Sequence, residues 1–180
     1  MTMTLFARVM GVLALWIGAT APALAHGPTP QKAEEKITIA APPAKVWAAL
    51  KEFADVSWNP GITKTEATGG NDSGASRSIT LKNGKVLVEG LDEYSADTMS
   101  YGYRLSTENL EALPVSFYSA TIAVTPSGDG SEVTWIGRFY RGDTSNFPPE
   151  NLNDEAAVKA MTEFLQEGLK GLKAKVEGSG

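Results

Sequence analysis

The sequence contains no cysteine among its 180 residues and a single histidine, His26. The lack of cysteine excludes disulfides, thiol nucleophiles and thiolate metal sites, so the fold must be stabilised by packing alone. One histidine is too few for a zinc or copper centre, and it leaves no internal base for a Ser-His-Asp arrangement. The sequence therefore predicts neither a metal centre nor a cofactor.

The sequence also lacks an apolar run long enough to span a membrane, which takes about 20 residues. Its main apolar run, residues 9–17, follows the cation Arg8 and precedes small residues that end at Ala25. This order is typical of a secretory signal peptide. We expect residues 1–25 to be cleaved off after export, and residues 26–34 to form a flexible leader.

Basic residues are fewer than acidic ones. The chain has 16 Lys and Arg against 21 Asp and Glu, a formal charge of −5, and loss of Arg8 with the signal makes it −6. This balance argues against nucleic acid or an anionic membrane as a partner and favours a basic partner surface. Removing 25 of the 180 residues leaves 155, which suits one domain with one core.

Alternation of apolar and polar residues predicts strands over most of the chain. The first strand is expected at residues 36–40, followed by a short amphipathic helix at residues 43–54. Residues 55–60 form either a turn or a second short helix. Five or six antiparallel strands follow, and Asn83-Gly84 between two apolar segments is a strong hairpin signal. The longest strands are expected at residues 99–107, 115–125 and 131–141.

Apolar residues at every third or fourth position predict one long helix at residues 154–176. Asn153 is a suitable N-cap for it. Gly168 and Gly171 are unfavourable inside a helix, so they indicate a close approach to the sheet or a bend. An antiparallel sheet of this length must cover its apolar face, and this helix is the only predicted element able to do so.

Two regions of the sequence resemble a known superfamily. Residues 37–47, with 53–54 and 58–60, resemble its opening segment, and residues 130–135 resemble its penultimate strand. It is the SRPBCC superfamily of START-like and polyketide-cyclase-like proteins. The resemblance implies an α+β helix-grip fold, in which a curved antiparallel sheet of about six or seven strands wraps around a long C-terminal helix, with two short helices after strand 1. We expect one such domain at residues 35–177.

Further stretches carry a more specific resemblance and are spread from end to end: residues 26–30, 89–94, 101–105, 113–115 and 140–149. They resemble the MxaD family of periplasmic accessory proteins of bacterial methanol oxidation. The resemblance implies a periplasmic protein that binds methanol dehydrogenase and/or its cytochrome c acceptor and promotes their interaction. It brings no catalytic motif, so we expect a protein without enzymatic activity, with a cyclase-like enzyme as the alternative.

Aromatic residues are candidates for lining a cavity between sheet and helix. Tyr101 and Tyr103 share one face of a strand, because alternate residues of a strand point the same way. Trp135 and Phe139 share a face of another strand, and Trp58 lies where the short helices meet the sheet. Two interpretations stay open: ordinary core packing, or a pocket for a small apolar ligand, as in a carrier or sensor.

The connection before the last helix is the candidate partner-binding loop. It begins at Arg141 and contains Asp143 and Phe147, and long loops often carry recognition. Phe147 and the two prolines after it form either a rigid apolar knob or a plug for the cavity. Arg141, Arg104 and Arg138 are either anion contacts or charges on the sheet surface.

Three acidic residues lie close together in the sequence: Glu89, Asp92 and Glu93. Carboxylates of this kind act as general acids or bases where their surroundings shift the pKa. We expect instead that these three are solvated charges on or beside a strand.

Overall fold

The structure is a computed structural model and describes residues 27–178. The predicted signal peptide and His26 lie outside the described residues. In chain order the elements are β1 (Gln31–Ile39), α1 (Pro43–Leu50), β2 (Ile62–Thr68), β3 (Ser76–Leu81), β4 (Val86–Ser95), β5 (Ser100–Thr107), β6 (Val115–Ser127), β7 (Gly130–Arg141), a 3-10 turn (Glu150–Leu152) and α2 (Asp154–Glu177).

The strands form one curved antiparallel sheet in the order β1-β7-β6-β5-β4-β3-β2. Strands β2 to β6 are each hydrogen-bonded to the next strand in sequence, while β1 pairs with β7 and forms the other edge of the sheet. The long helix α2 packs against β1 and β7 and buries its apolar face. The helix-grip fold predicted from the sequence is confirmed.

The hairpin between β3 and β4 forms where the sequence predicts it. Gly84 has a φ of 76°, a left-handed conformation that glycine adopts without steric cost. The Asn83 side chain accepts a hydrogen bond of 3.0 Å from the backbone N–H of Lys85, which closes the turn. On both strands alternate residues then point into the core.

The segment after β1 differs from the prediction. The helix α1 ends at Leu50, and residues 51–61 form turns rather than a second short helix. The physical reason lies in the side chains: Asp55 accepts a hydrogen bond from the backbone of Ser57, and Asn59 accepts one from Gly61. Such local bonds compete with those of a helix. The turn alternative for residues 55–60 is therefore correct.

The first strand begins earlier than expected. Gln31 pairs with Phe139 at the start of the β1–β7 ladder. Residues 31–34, which the sequence analysis assigned to the flexible leader, are therefore part of the sheet. Their alternation is hidden in the sequence by polar residues on both faces of this edge strand.

Helix α2 is capped and lies close against its surroundings. Asn153 accepts a hydrogen bond of 2.9 Å from the backbone of Ala156 at the helix start. A Cβ on Gly168 would lie 2.6 Å from the Trp135 ring, and one on Gly171 would lie 2.3 Å from the Trp58 carbonyl oxygen. The expected close approach is present, although Gly171 meets the loop rather than the sheet. Within residues 27–178, no helix combines the length and apolarity needed to cross a membrane.

Candidate functional site

The predicted cavity residues all lie in the interior between the sheet and α2. Each is at most 3 % exposed: Trp58, Tyr101, Tyr103, Trp135 and Phe139. The Trp135 indole N–H donates a 3.0 Å hydrogen bond to the Tyr103 hydroxyl. The rings of Trp58 and Trp135 stand edge to face at 5.4 Å, and those of Tyr101 and Tyr103 are 6.0 Å apart. The structure therefore brings Trp58, Trp135, Tyr101 and Tyr103 into one aromatic layer, and Phe139 is buried four residues further along β7.

An ion pair lies inside this aromatic layer. Arg77 on β3 and Glu89 on β4 are direct cross-strand partners, and Arg77 Nε lies 2.6 Å from Glu89 Oε2. Their side chains are 3 % and 1 % exposed. The guanidinium also donates a 2.8 Å hydrogen bond to the Phe53 carbonyl, and its carbon lies 4.7 Å from the Tyr103 ring centroid. The interpretation of Glu89 as a solvated charge is wrong, because its side chain points to the concave face of the sheet.

Tyr118 on β6 completes the cluster. Its hydroxyl donates a hydrogen bond to Glu89 Oε1, so both oxygens of the carboxylate are engaged. Burial, followed by the charge of Glu89, raises the pKa of both Tyr103 and Tyr118 well above the usual value. Both hydroxyls therefore stay protonated near neutral pH.

The charge state of Arg77 follows from its neighbours. Burial is the largest single influence and would lower the pKa of this guanidinium, but the adjacent Glu89 carboxylate and the nearby Tyr101 and Tyr103 together outweigh it and raise the pKa above the usual range. The site thus holds a permanent cation that is already paired. In its described form the cluster offers no unengaged carboxylate to act as a base.

Sequence reasoning missed Arg77 and Tyr118. The available signal was the alternation itself, since Arg77 occupies an inward position between Ala75 and Ile79, and Glu89 lies between Leu87 and Leu91. A charge at an inward position of a strand needs a partner. The other two acidic residues behave as expected: Asp92 is partly exposed beside Arg104, and Glu93 is exposed.

One buried donor in this region is left over. The Asn59 side chain is 1 % exposed, and its oxygen accepts a 2.9 Å hydrogen bond from Gly61 N–H. Its nitrogen, Nδ2, has no hydrogen-bond partner among residues 27–178. A Cβ on Gly168 would lie 2.9 Å from that nitrogen and 2.6 Å from Trp135, so the free donor adjoins the aromatic layer. Buried donors without a partner are uncommon and costly.

The predicted partner-binding loop is held by Arg141. This side chain is 7 % exposed and donates 2.8 Å hydrogen bonds to the carbonyls of Asp143 and Ser145 and to the carboxylate of Asp154. Asp143 in turn accepts a 2.8 Å bond from Ser145 N–H. Two of the three predicted loop residues therefore build the loop.

The third predicted loop residue, Phe147, is 89 % exposed. The alternative in which this ring plugs the interior is wrong. The loop instead presents the ring to solvent, on a backbone that Arg141 ties to the first turn of α2.

Comparison with known proteins gives one family and many similar folds. The family model described as "Polyketide cyclase / dehydrase and lipid transport" matches residues 30–177. No curated protein matches the chain significantly.

Three solved structures illustrate the similarity of fold. The protein XoxI from Bacillus cereus is 23% identical with a TM-score of 0.68, covering 81% of this chain and 94% of its own. TTHA0849 from Thermus thermophilus is 18% identical with a TM-score of 0.66, covering 83% and 99%. Truncated norcoclaurine synthase from Thalictrum flavum is 16% identical with a TM-score of 0.61, covering 83% and 95%. At these identities the likeness shows a shared fold, and function has to be argued from the residues of the site.

Proposed function

The chain belongs to the polyketide cyclase / dehydrase and lipid transport family, and we propose that within it this protein acts by recognition, as a periplasmic accessory protein of methanol oxidation. Its partners are methanol dehydrogenase and/or the cytochrome c that accepts electrons from it. The protein promotes the productive contact of the two. The proposal takes its partners and compartment from the sequence resemblance, and its mode of action from the geometry.

The observation that carries the proposal is the exposed ring of Phe147 on a fixed loop. An aromatic side chain that is 89 % exposed contributes nothing to the core. Aromatic residues contribute strongly to protein–protein binding, and a preorganised loop loses less entropy when it binds. The hydrogen bonds of Arg141 supply that preorganisation.

The interior cluster supports binding over catalysis. General-base chemistry requires a carboxylate within reach of a substrate proton. Glu89 instead engages Arg77 with one oxygen and Tyr118 with the other. A bond-making role would first require this arrangement to come apart.

A pull-down from a periplasmic extract at low ionic strength tests the accessory role. We expect the protein to retain methanol dehydrogenase or its cytochrome, and the recovery to fall as salt rises, because the acidic chain favours a basic partner. Phe147→Ala should reduce recovery, while Val86→Ala, which trims another exposed apolar residue, should not. Recovery of neither protein, or equal recovery with Phe147→Ala, would contradict the proposal.

A second candidate function, favoured by Asn59, is transport or sensing of a small hydrophobic ligand between sheet and helix. The free Nδ2 donor beside Trp135 is a polar contact available to such a ligand. Native mass spectrometry of the freshly purified protein tests this function. A retained small molecule that Asn59→Leu loses would support the carrier, whereas an empty protein that also ignores lipid and quinone libraries would count against it.

A further inference from the structure

Phe117, the other strongly exposed aromatic residue among residues 27–178, has an unfavourable backbone conformation. It has a φ of 50° and is 71 % exposed. A left-handed conformation is rare for a bulky residue, and retained strain of this kind concentrates at functional sites. The core gains nothing from this ring.

The strain comes from a β-bulge in β6. The register with β7 shifts between Ser116 and Ser119, so one extra residue is inserted there. As a result Tyr118 points inward to the buried cluster and Phe117 points outward. Glu108 accepts a 3.0 Å hydrogen bond from the Phe117 N–H and holds the bulge.

Phe117 forms one wall of a groove of about 380 Å³ on the outer face of the sheet. Its ring meets that of Tyr140 edge to face, with centroids 6.5 Å apart. The groove is also lined by Pro30, Lys32, Ser119 and Arg138. It therefore combines two aromatic rings with two cations.

The cations of the groove belong to one row across four strands. In the strand registers, Lys32 of β1 lies opposite Arg138 of β7. Arg138 lies opposite Ser119 of β6, and Ser119 lies opposite Arg104 of β5. Lys32 is neutralised by Glu34 and Arg104 by Asp92. Arg138 is exposed and makes no hydrogen bond or ion pair within 4.0 Å to any described residue, although its charge acts on Glu34.

We propose that this groove docks a protein segment that presents a carboxylate next to an apolar side chain. Arg138 supplies the planar guanidinium that pairs with a carboxylate, and the rings of Phe117 and Tyr140 supply the apolar contact. Charge complementarity selects this occupant, because a cation in a groove with two aromatic rings stands out on a chain of net charge −5. None of the residues that line the groove belongs to the Phe147 loop, so the protein has two docking surfaces of different chemistry.

The test uses a defined peptide and the isotopically labelled protein. We titrate the acetylated peptide Glu-Leu-Phe-Glu-Leu-Glu and follow backbone amide shifts by NMR. Shifts should be confined to the groove strands around residues 30–32, 117–119 and 138–140. Arg138→Glu and Phe117→Gly should each weaken binding about tenfold, the loss of one charge-assisted or aromatic contact. Glycine accepts the backbone conformation at position 117, so that variant keeps its fold.

Two control variants and two control ligands make the test decisive. Lys64→Glu makes the same charge change on exposed β2, and Phe147→Ala removes the other exposed ring, so both should bind the peptide like the native protein. Equal binding of the peptide with Gln in place of Glu would overturn the proposal, as would unchanged binding by Arg138→Glu. Vesicles containing anionic phospholipid that displace the peptide would assign the groove to a membrane and likewise overturn it. None of these results depends on methanol dehydrogenase, so they are distinct from a failed pull-down.

Discussion

Two Arg–carboxylate pairs on the same sheet have opposite surroundings. Arg77 and Glu89 lie on the concave face with side chains 3 % and 1 % exposed, whereas Arg104 and Asp92 lie on the convex face at 67 % and 30 %. The contact distances are similar, 2.6 Å and 2.8 Å from Nε to the nearest carboxylate oxygen. What separates the pairs is the parity of their positions in the strands, because alternate residues point to opposite faces.

This difference matters because solvent decides the value of an ion pair. An exposed pair gains little, since water screens its charges and already hydrates them. A buried pair has lost that hydration, so removing one partner leaves the other charge without compensation. The concave face is therefore vulnerable to single substitutions that the convex face tolerates.

The largest expected effect comes from Glu89→Gln. It leaves the Arg77 guanidinium buried without its counter-charge, so we expect the free energy of unfolding to fall by about 4 kcal/mol. Urea denaturation measures the loss. The matched change Asp92→Asn on the convex face should leave the denaturation midpoint within error of the native protein. Equal effects of the two changes would show that burial does not distinguish the pairs.

A double substitution sharpens the same comparison. Arg77→Met with Glu89→Leu removes both charges and keeps apolar volume, so it should recover part of the stability lost in Glu89→Gln. Tyr118 would lose its acceptor, which limits the recovery. A double variant less stable than Glu89→Gln would contradict this account.

Alkaline pH should lower the stability of the fold through the buried tyrosines of the concave face. Burial is the main cause that raises the pKa of Tyr101, Tyr103 and Tyr118. Tyrosines of the unfolded chain, by contrast, ionise at about pH 10. Below that pH both states keep the protons, and the stability is fully present. Above it the unfolded state releases protons that the folded state retains, so stability falls by about 1.4 kcal/mol per pH unit for each tyrosine.

Urea denaturation at a series of pH values, with tyrosinate absorbance as a second signal, measures this loss. The absorbance of these tyrosines should rise together with unfolding. Tyr118→Phe should make the fall of the unfolding free energy with pH less steep, by the contribution of one proton. A native protein that ionises all its tyrosines at about pH 10 without unfolding would contradict the burial argument.

Gly171→Ala tests how tightly α2 closes over the concave side. The new Cβ would lie 2.3 Å from the Trp58 carbonyl oxygen and from Pro60 Cδ, so the helix or the loop must move. We expect a loss of about 2 kcal/mol in the free energy of unfolding, typical of overpacking. Thermal and urea denaturation measure it, with Lys170→Ala on the exposed face of α2 as the control. A more stable Gly171→Ala protein would mean that helix propensity outweighs the contact.

The two faces of the sheet also differ in how far the sequence could predict them. Alternation and helical spacing identified the strands, the Asn83-Gly84 hairpin and α2, because each signal is local. The cluster of Arg77, Glu89 and Tyr118 depends on which strands become neighbours and in what register, and that information is spread over the chain. Local periodicity of one strand assigns a face, whereas the partner of a buried charge comes from another strand.

Irregular backbone was the other part that escaped prediction. The turns at residues 51–61 follow from side-chain bonds of Asp55 and Asn59 that compete with a helix. The bulge at Phe117 breaks the alternation of apolar and polar residues in β6, so a prediction based on that alternation does not detect it. In both places a few local bonds override the average preference of the segment.

The smallest expected effect is a gain in stability from a substitution on the convex face. Phe117→Gly removes an exposed ring and relieves a left-handed conformation that costs phenylalanine roughly 1 kcal/mol. We expect a free energy of unfolding up to about 0.5 kcal/mol higher, because the greater entropy of glycine in the unfolded chain offsets part of the relieved strain. Urea denaturation measures it against Phe147→Gly, which trims the other exposed ring at a residue without a positive φ.

The two glycine variants should therefore move in opposite directions. Phe147→Gly brings only the entropic cost, so its stability should fall slightly. If Phe117→Gly is instead the less stable of the two, the ring of Phe117 packs productively against Tyr140, and its strain serves the fold. If it is the more stable, the native protein retains an unfavourable residue on its outer face at a cost in stability, which is the pattern expected of a residue kept for binding.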